Sequence, residues 1–190
     1  IAKLYEDTES TYLDFDNIPK NVINAFVAVE DRTFWKNSGI DVKGIVRVSL
    51  NFLKTKGDVA QGASTITQQL SRDIFLTNEK SLVRKVKEIF IAMNLNKKYS
   101  KEEIMEYYCN NVCFANGIFG IEDASQTYFN KPASQLTLSE AAYLCAIPNR
   151  PEYYNTFKDR SNAITRRDKI LADMYECGYI NQQEMNDAVS

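Results

Sequence analysis

Three capping boxes constrain the fold of this chain more than any other feature. In each box a Ser or Thr is followed three residues later by Gln or Glu, so that two side chains satisfy free backbone N–H groups at a helix start. The pairs are Thr65 with Gln68, Ser100 with Glu103, and Thr137 with Glu140. We therefore expect a helix to begin at each box.

Apolar residues at helical spacing extend this pattern along the chain. A first helix is predicted between Pro19 and Gly39 by Val22, Phe26, Val29 and Phe34. Further helices are predicted over residues 82–93 and 118–130, and two more from residue 161 onward with a break at Gly178. No series of strands joined by hairpin turns is visible. The predicted fold class is mainly α.

The chain of 190 residues contains no histidine. This excludes Ser-His-Asp triads, Cys-His dyads and histidine-ligated metals, so a general base must be Asp, Glu, Lys or Tyr. Lys and Arg number 23 against 25 Asp and Glu, and the net charge of -2 disfavours a generally basic nucleic-acid binder. The four cysteines lack zinc-site spacing, and we interpret them as small buried apolar residues, with a Cys109–Cys113 disulfide as the alternative.

Glu30 is the strongest candidate for a catalytic carboxylate. Phe26 precedes it by four residues and Phe34 follows it by four, on one face of the predicted helix. Partial burial among aromatic rings would raise its pKa toward neutrality, as a base for a sugar hydroxyl requires. The alternative is a structural ion pair with Arg32 or a distant lysine.

Two further segments carry candidate binding groups. Residues 61–72 place hydroxyls and amides at a helix start, where free N–H groups attract a phosphate, although an ordinary N-cap with solvent-facing glutamines is the alternative. Arg84 and Lys85 share a helical surface with Glu88 and could neutralise a pyrophosphate, whereas a solvated face of ion pairs is the simpler interpretation.

Residues 45–53 are apolar and lie between Lys43 and Lys54. Their conformation is ambiguous, and they could contact a membrane interface or pack in the core. No run of apolar residues is long enough to span a bilayer. Because the chain begins at Ile1 without Met, we expect it to be a piece of a longer protein.

Taken together, five motifs resemble the peptidoglycan glycosyltransferase domain of class A penicillin-binding proteins and of monofunctional transglycosylases. They occur in the order of that family: EDRTF at 30–34 with Gly39, GASTITQQL at 62–70, Arg84-Lys85 with Glu88, KEEIMEYYCN at 101–110 and LSEAAYL at 138–144. The resemblance implies one lysozyme-like, two-lobed helical domain over residues 1–190. A smaller, membrane-facing jaw would include about residues 40–61, and a larger head lobe most of the rest.

The resemblance also implies a reaction and its site residues. Glu30 would remove the proton from the acceptor's 4-hydroxyl. Glu88 matches the second conserved acid, a second catalytic residue that would position the diphosphate, bind a metal or support the basic pair. The implied substrate contacts are Asp31, Phe34, Ser64, Thr65, Gln68, Gln69, Arg72, Arg84 and Lys85, with Arg72 at a position where the family usually has Lys. The substrates would be lipid II and the growing glycan strand, joined by a β-1,4 bond with inversion and release of undecaprenyl diphosphate.

Further expectations concern ions and surroundings. The resemblance allows stimulation by a divalent cation, Mg2+ or Mn2+, and implies no organic cofactor. It places the enzyme at the outer face of the bacterial cytoplasmic membrane, anchored by a segment absent from this chain, in contact with other cell-wall synthesis proteins and not with nucleic acid. The chain departs from the family where Asn37 replaces a usual His and Thr33 a common basic residue.

Two other functions fit the sequence less well. A lysozyme-like enzyme that cleaves peptidoglycan would also use carboxylates, but it has no need for the Arg84-Lys85 pair. A non-catalytic scaffold that binds lipid headgroups would have no need for both Glu30 and Glu88. Polymer formation from lipid II separates these three hypotheses.

Overall fold

A computed structural model describes residues 11–44, 46, 64–76, 81–151, 153, 154 and 160–190. Within these residues the fold is mainly helical, as the sequence predicts, and no β-strand occurs. The helices are α1 (Lys20–Glu30), α2 (Ile66–Phe75), α3 (Leu82–Lys98), α4 (Lys101–Asn111), α5 (Ile121–Phe129), α6 (Leu138–Ala146), α7 (Ser161–Glu176) and α8 (Gln182–Val189), with short 3-10 helices at Phe15–Asn17 and Ala133–Gln135.

The three predicted capping boxes are present. Thr65, Ser100 and Thr137 each accept a bond from the backbone N–H three residues later. The Gln or Glu side chain at that later position in turn accepts a bond from the backbone N–H of the Thr or Ser. A fourth box, formed by Asn181 and Glu184, begins α8. Each box satisfies two backbone donors that a helix start would otherwise leave free, which fixes where these helices begin.

The first helix is shorter than predicted, and its extension to Phe34 is wrong. It ends at Glu30, because Asp31 leaves the helical backbone with φ -156° and ψ 80°. The Asp31 carboxylate accepts bonds from the N–H and hydroxyl of Thr33, and such local bonds compete with helix continuation. Glu30 and Phe34 therefore do not share a helical face.

Two other boundaries follow from local turns. The fifth helix begins at Ile121 rather than at Ile118, because a turn at Asn116 and Gly117 first reverses the chain. Phe114 N donates to Ile118 O at 2.8 Å to close that turn. The predicted break at Gly178 is present, with φ +73°, between α7 and α8.

The core lies where α1 packs against α6 and α7, and where α2 packs against α3 and α4. Large side chains that are completely or almost completely buried there include Phe26, Phe34, Ile66, Tyr108, Phe114, Leu144, Ile170 and Leu171. Cys109 and Cys145 are buried, as interpreted from the sequence, whereas Cys113 and Cys177 are partly exposed, and all four are free thiols. This packing brings the end of α1 next to α2.

Part of the sequence interpretation falls outside the described residues. Apart from Val46, the ambiguous segment 45–53 is not among them, nor is most of the predicted jaw at 40–61. None of the helices in the described part of the chain combines the length and apolar character needed to cross a bilayer.

Candidate active site

Glu30 is the last residue of α1 and is partly buried. Its Oε2 accepts a 2.9 Å hydrogen bond from Nε2 of Gln69 on α2. Glu30 also lines a cavity of about 290 Å3, together with Ser64, Lys169 and others. A carboxylate has about four lone-pair sites, so one amide bond leaves acceptor capacity for a hydroxyl proton.

Arg32 does not form the structural ion pair with Glu30 that the sequence offered as an alternative. Its Nη2 lies 2.7 Å from Asp173 Oδ1 and 3.0 Å from Glu176 Oε2, both on α7. Lys169 is also paired with Asp173, at 2.8 Å. Arg32 therefore holds the first motif against α7. The Glu30 carboxylate is bonded by Gln69 instead.

Gln69 is in turn bonded to Tyr108 of α4. The Tyr108 hydroxyl donates to Gln69 Oε1 at 3.2 Å, and its ring packs edge-on against Phe26 with centroids 5.1 Å apart. Tyr108 is 1% exposed, and burial raises its pKa well above the usual range, with the charge of Glu30 adding to the effect. The phenol therefore stays protonated and serves as a donor.

Asp31 is buried and its carboxylate is occupied by protein donors. Asn37 Nδ2 donates to both carboxylate oxygens, at 3.0 and 2.9 Å, and the N–H of Ile66 donates to Oδ2 at 3.3 Å. Burial raises the pKa of Asp31, and these hydrogen bonds oppose that rise. The geometry gives Asp31 the role of joining the first motif to the start of α2. Its contact with substrate stays a prediction.

Phe34 and Asn37 surround a lysine from α4. Lys101 Nζ donates to Asn37 Oδ1 at 3.0 Å and lies 4.7 Å from the centre of the Phe34 ring. Burial lowers the pKa of Lys101, and the charge of Asp31 opposes the change. Phe34 has no exposed surface, so in this structure it supports the turn after Glu30 and does not face the cavity.

The start of α2 is held against the turn at Gly39. The Thr65 hydroxyl donates to Gly39 O at 2.6 Å, and Gln68 Oε1 accepts the Thr65 N–H at 3.0 Å. Gly39 has φ +92°, and a Cβ there would lie 2.5 Å from Ala92 O, so only glycine fits. Thr65 is an N-cap, as the alternative interpretation expected, but Gln68 is buried and does not face solvent.

Ser64 connects this helix start to the predicted cationic pair. Lys85 Nζ donates to Ser64 Oγ at 2.7 Å and forms a short ion pair with Glu88 Oε1. The side chain of Glu88 is 1% exposed and that of Lys85 is 40% exposed. A simple solvated face is therefore wrong for Glu88, and Lys85 holds this buried acid while remaining accessible to water and ligands.

Arg72 belongs to α2, and Arg84 belongs to α3, which packs against it. Arg84 is partly buried, and its Nε is buried without a hydrogen-bond partner in the described part of the chain. The Nε of Arg72 donates to Asp73 Oδ1 at 2.9 Å. Desolvation raises the pKa of Asp73, Arg72 opposes this rise, and the more distant charges of Glu88 and Arg84 raise and lower it, respectively. These charges form one cluster between α2 and α3.

A second cavity, of about 580 Å3, borders the other functional groups of α2. Its lining includes Gln69, Arg72, Asn111, Phe119, Pro148 and Pro151. Since Gln69 borders this cavity and bonds Glu30 of the first one, the Glu30–Gln69 pair connects the two spaces. Tyr108, Lys169 and Asp173 were not among the predicted site residues, because only tertiary packing brings α4 and α7 to Glu30.

The described residues do not form a metal site by themselves. No cluster of three Cys, Asp or Glu side chains able to hold an ion occurs among them. Glu88 has hard oxygens suited to Mg2+ or Mn2+, but its carboxylate is already paired with the Lys85 ammonium. Stimulation by either ion stays a prediction.

Comparison with known proteins agrees with this arrangement of motifs. The family model described as Transglycosylase matches residues 1–175. Penicillin-binding protein 1A of Aquifex aeolicus is 44% identical over 179 residues, which are 94% of this chain and 24% of that protein. Penicillin-binding protein 4 of Bacillus subtilis is 40% identical over 190 residues, all of this chain and 30% of the relative.

A solved structure supports the same fold. The 2.6 Å crystal structure of penicillin-binding protein 1A from Haemophilus influenzae matches with a TM-score of 0.55 at 20% identity, over 95% of this chain and 17% of that one. This chain spans about a quarter of the first curated relative's length. On the family match and the identity to these relatives, the chain belongs to the transglycosylase family.

Proposed function

We propose that this domain is a peptidoglycan glycosyltransferase that polymerises lipid II into β-1,4-linked glycan strands. The observation that carries the proposal is the position of Ser64, which lines the cavity of Glu30 and also binds the Lys85 ammonium. A carboxylate base and a cation thus border one site. Membership of the transglycosylase family supports this reaction over a peptidoglycan-cleaving enzyme or a non-catalytic scaffold.

Glu30 is proposed as the base. It takes the proton of the acceptor's GlcNAc 4-hydroxyl while that oxygen bonds to the donor's anomeric carbon. The bond between this carbon and the diphosphate oxygen breaks, and the diphosphate leaves with the bonding electrons. Attack from the opposite face inverts the anomeric centre. The Gln69 amide holds one oxygen of Glu30 and leaves the other for the hydroxyl.

Arg84 and Lys85 are proposed to stabilise the leaving undecaprenyl diphosphate. Negative charge on the leaving oxygen grows toward the transition state, so fixed cations beside it lower the barrier. Lys85 is already oriented by Ser64 and Glu88 and needs little rearrangement. The buried Nε–H of Arg84 has no acceptor among the described residues, and a diphosphate oxygen would supply one.

Polymerisation needs room for two sugar substrates on either side of the base. The two cavities connected by the Glu30–Gln69 pair provide such room. The larger one combines Arg72 and Asn111 with the apolar surface of Phe119 and two prolines, a mixture suited to sugar rings with polar edges. In this proposal the glycan donor occupies one of the two cavities and the acceptor occupies the other.

The substrate sets the location of the enzyme. Lipid II carries an undecaprenyl chain, so the proposed site of action is the outer face of the bacterial cytoplasmic membrane. The growing glycan strand, the membrane surface and other cell-wall synthesis proteins are the proposed partners. The relatives are named as penicillin-binding proteins, which supports a place in cell-wall synthesis.

A product analysis tests this function. The purified domain is incubated with labelled lipid II in detergent, and separately with preformed glycan strands, and the products are resolved by length. We expect polymer from lipid II and no shortening of the strands. Shortened strands without polymer would favour the cleaving enzyme. Lipid II binding without turnover by a folded domain would favour the scaffold.

A further inference from the structure

Tyr108 lies in the fourth motif, within the core, and is not itself among the residues that line the two cavities. Its hydroxyl nevertheless reaches the site through one side chain. Tyr108 Oη donates to Gln69 Oε1 at 3.2 Å, and Gln69 Nε2 donates to Glu30 Oε2 at 2.9 Å. The three groups form a continuous line from the core to the candidate base.

The direction of these bonds follows from the chemistry of the groups. A glutamine amide has a donor end and an acceptor end, and an ionised carboxylate can only accept. If the amide were reversed, the Gln69 oxygen would face the Glu30 carboxylate and both would be acceptors. The Glu30 carboxylate therefore favours the orientation with NH2 toward it, and the protonated phenol of Tyr108 supports this orientation by donating to the amide oxygen.

We propose that Tyr108 is a positioning residue for glycosyl transfer, which acts by fixing the orientation of the Gln69 amide against Glu30. This inference rests on the proposed function. The bond from Gln69 occupies Glu30 Oε2 and stabilises the ionised carboxylate, while the second oxygen is left for the acceptor hydroxyl. Without the Tyr108 hydroxyl the amide oxygen loses this donor, so the Gln69 side chain is held at one end only and its bond to Glu30 is less firmly fixed.

A pH effect follows from this geometry. A hydrogen bond donated to a carboxylate favours its charged form, so loss of the bond raises the pKa at which the base becomes active. The acid limb of kcat/KM then moves to higher pH, because this limb reports the free enzyme's base.

The other titratable or charged groups around Glu30 come from its own segment and from α2, α4, α6, α7 and a loop. Asp31, Arg32, Asp41, Lys169 and Asp173 line the same cavity, Cys145 interacts with the charge of Glu30, and Asp73 and Cys109 interact with Tyr108. The substitution tested below changes none of them.

The test compares Tyr108→Phe with Tyr128→Phe. Phenylalanine keeps the ring that packs on Phe26, so the variant removes little more than the hydroxyl. Tyr128 is a matched control, since its hydroxyl bonds a backbone carbonyl, Phe114 O at 2.7 Å, away from Glu30. For Tyr108→Phe we expect the acid limb of kcat/KM to move to higher pH by about 0.5–1 unit, which is a loss of about threefold to tenfold at pH values on that limb. The control should keep the wild-type pH profile.

A measurement that needs no substrate separates this inference from the proposed function. The Glu30 carboxyl is titrated by carbon-13 NMR, with Glu30→Gln to assign its signal, in wild type, Tyr108→Phe, Gln69→Met and the double variant. Each single variant should raise the Glu30 pKa. Because Tyr108 acts only through Gln69, adding Tyr108→Phe to Gln69→Met should change nothing further.

The possible outcomes decide between the two claims. An unchanged Glu30 titration in Tyr108→Phe, or equal and additive shifts in the double variant, would overturn the positioning role even if lipid II is polymerised. A Glu30 pKa that is raised in both single variants, and raised no further in the double variant, would support the positioning role. This holds even if the wild type forms no polymer, a result that would count against the proposed function alone. If Tyr108→Phe does not fold, the Gln69→Met titration still decides whether this amide acts on Glu30.

Discussion

The ammonium of Lys85 lies 2.7 Å from the hydroxyl of Ser64, one residue before the N-cap of α2. Ser64 lines the same cavity as Glu30, whereas Lys85 belongs to α3. This one contact brings the second and third motifs together beside the end of α1. It also places the Lys85 ammonium one side chain away from the cavity that the Glu30 carboxylate lines.

Arg84→Ala should lower turnover more than it weakens acceptor binding. The leaving diphosphate gains charge toward the transition state, so we expect kcat to fall about 100-fold while KM for lipid II changes much less. Steady-state kinetics with labelled lipid II measures both. Lys87→Ala removes an exposed cation from the same helix and should retain nearly full turnover. An unchanged kcat in Arg84→Ala would refute the assignment.

Lys85→Met should reduce the stability of the domain. It removes the cationic partner of Glu88, whose side chain is 1% exposed. Because Lys85 is itself partly exposed, we expect a moderate loss of about 1–3 kcal/mol in the free energy of unfolding. Adding Glu88→Gln removes the unpaired charge and should recover part of that loss. Urea unfolding measures both variants, and a Lys85→Met domain as stable as wild type would contradict the pairing.

Asn37→Ala should destabilise the domain more at neutral than at acidic pH. Burial raises the pKa of Asp31, so the native state keeps this proton at pH values where the unfolded chain has released it. The contribution of Asp31 to stability is therefore greatest below its unfolded-state pKa and decreases as pH rises through its folded-state pKa. Asn37 donates to both carboxylate oxygens, and losing these bonds raises the folded-state pKa further.

The expected difference is about 1–3 kcal/mol near pH 7 and clearly smaller near pH 3, where the carboxyl is protonated. Chemical denaturation at both pH values measures it. Asn111→Ala serves as the control, since its Nδ2 donates to a backbone carbonyl, Tyr107 O. Its loss should be similar at both values. Equal losses at both pH values for Asn37→Ala would show that Asp31 is not the group affected.

Gly39→Ala should be much more destabilising than Gly178→Ala. Both glycines have positive φ, at +92° and +73°, so each substitution introduces backbone strain. At Gly178 no atom lies within 4 Å of the added Cβ, and we expect a cost of about 1–2 kcal/mol. At Gly39 the Cβ would overlap Ala92 O at 2.5 Å, which raises the expected cost to about 2–5 kcal/mol. Similar unfolding free energies would contradict the close approach of Gly39 to α3.

The sequence predicted the helices well where local chemistry decides the structure. Thr65 with Gln68, and the two other predicted boxes, satisfy their own backbone donors, so a few neighbouring residues determine the helix start. The end of α1 was mispredicted because the apolar spacing continues to Phe34. Asp31 instead uses its carboxylate in bonds to Thr33, Asn37 and Ile66, and the last of these lies far along the chain.

The candidate site was predicted from motifs, but the side chains that orient it were not. No spacing along the sequence connects Tyr108 to Gln69 or Lys169 to the Glu30 cavity, because these relations arise from helix packing. The sequence also treated Asp31, Phe34, Thr65 and Gln68 as substrate contacts. The structure shows them buried, as supports for the turn after Glu30 and for the start of α2, and Asp31 and Thr65 also line the Glu30 cavity. Their contact with substrate stays a prediction.

The most direct test of Glu30 as the base is glycan polymerisation by Glu30→Gln. The substitution keeps the shape of the side chain but removes the group that accepts the proton, so we expect polymer formation to fall at least about 100-fold while lipid II is still bound. Glu102→Gln, an exposed acid in the first turn of α4, is the matched control and should polymerise like wild type. Wild-type polymerisation by a folded Glu30→Gln domain would contradict the account.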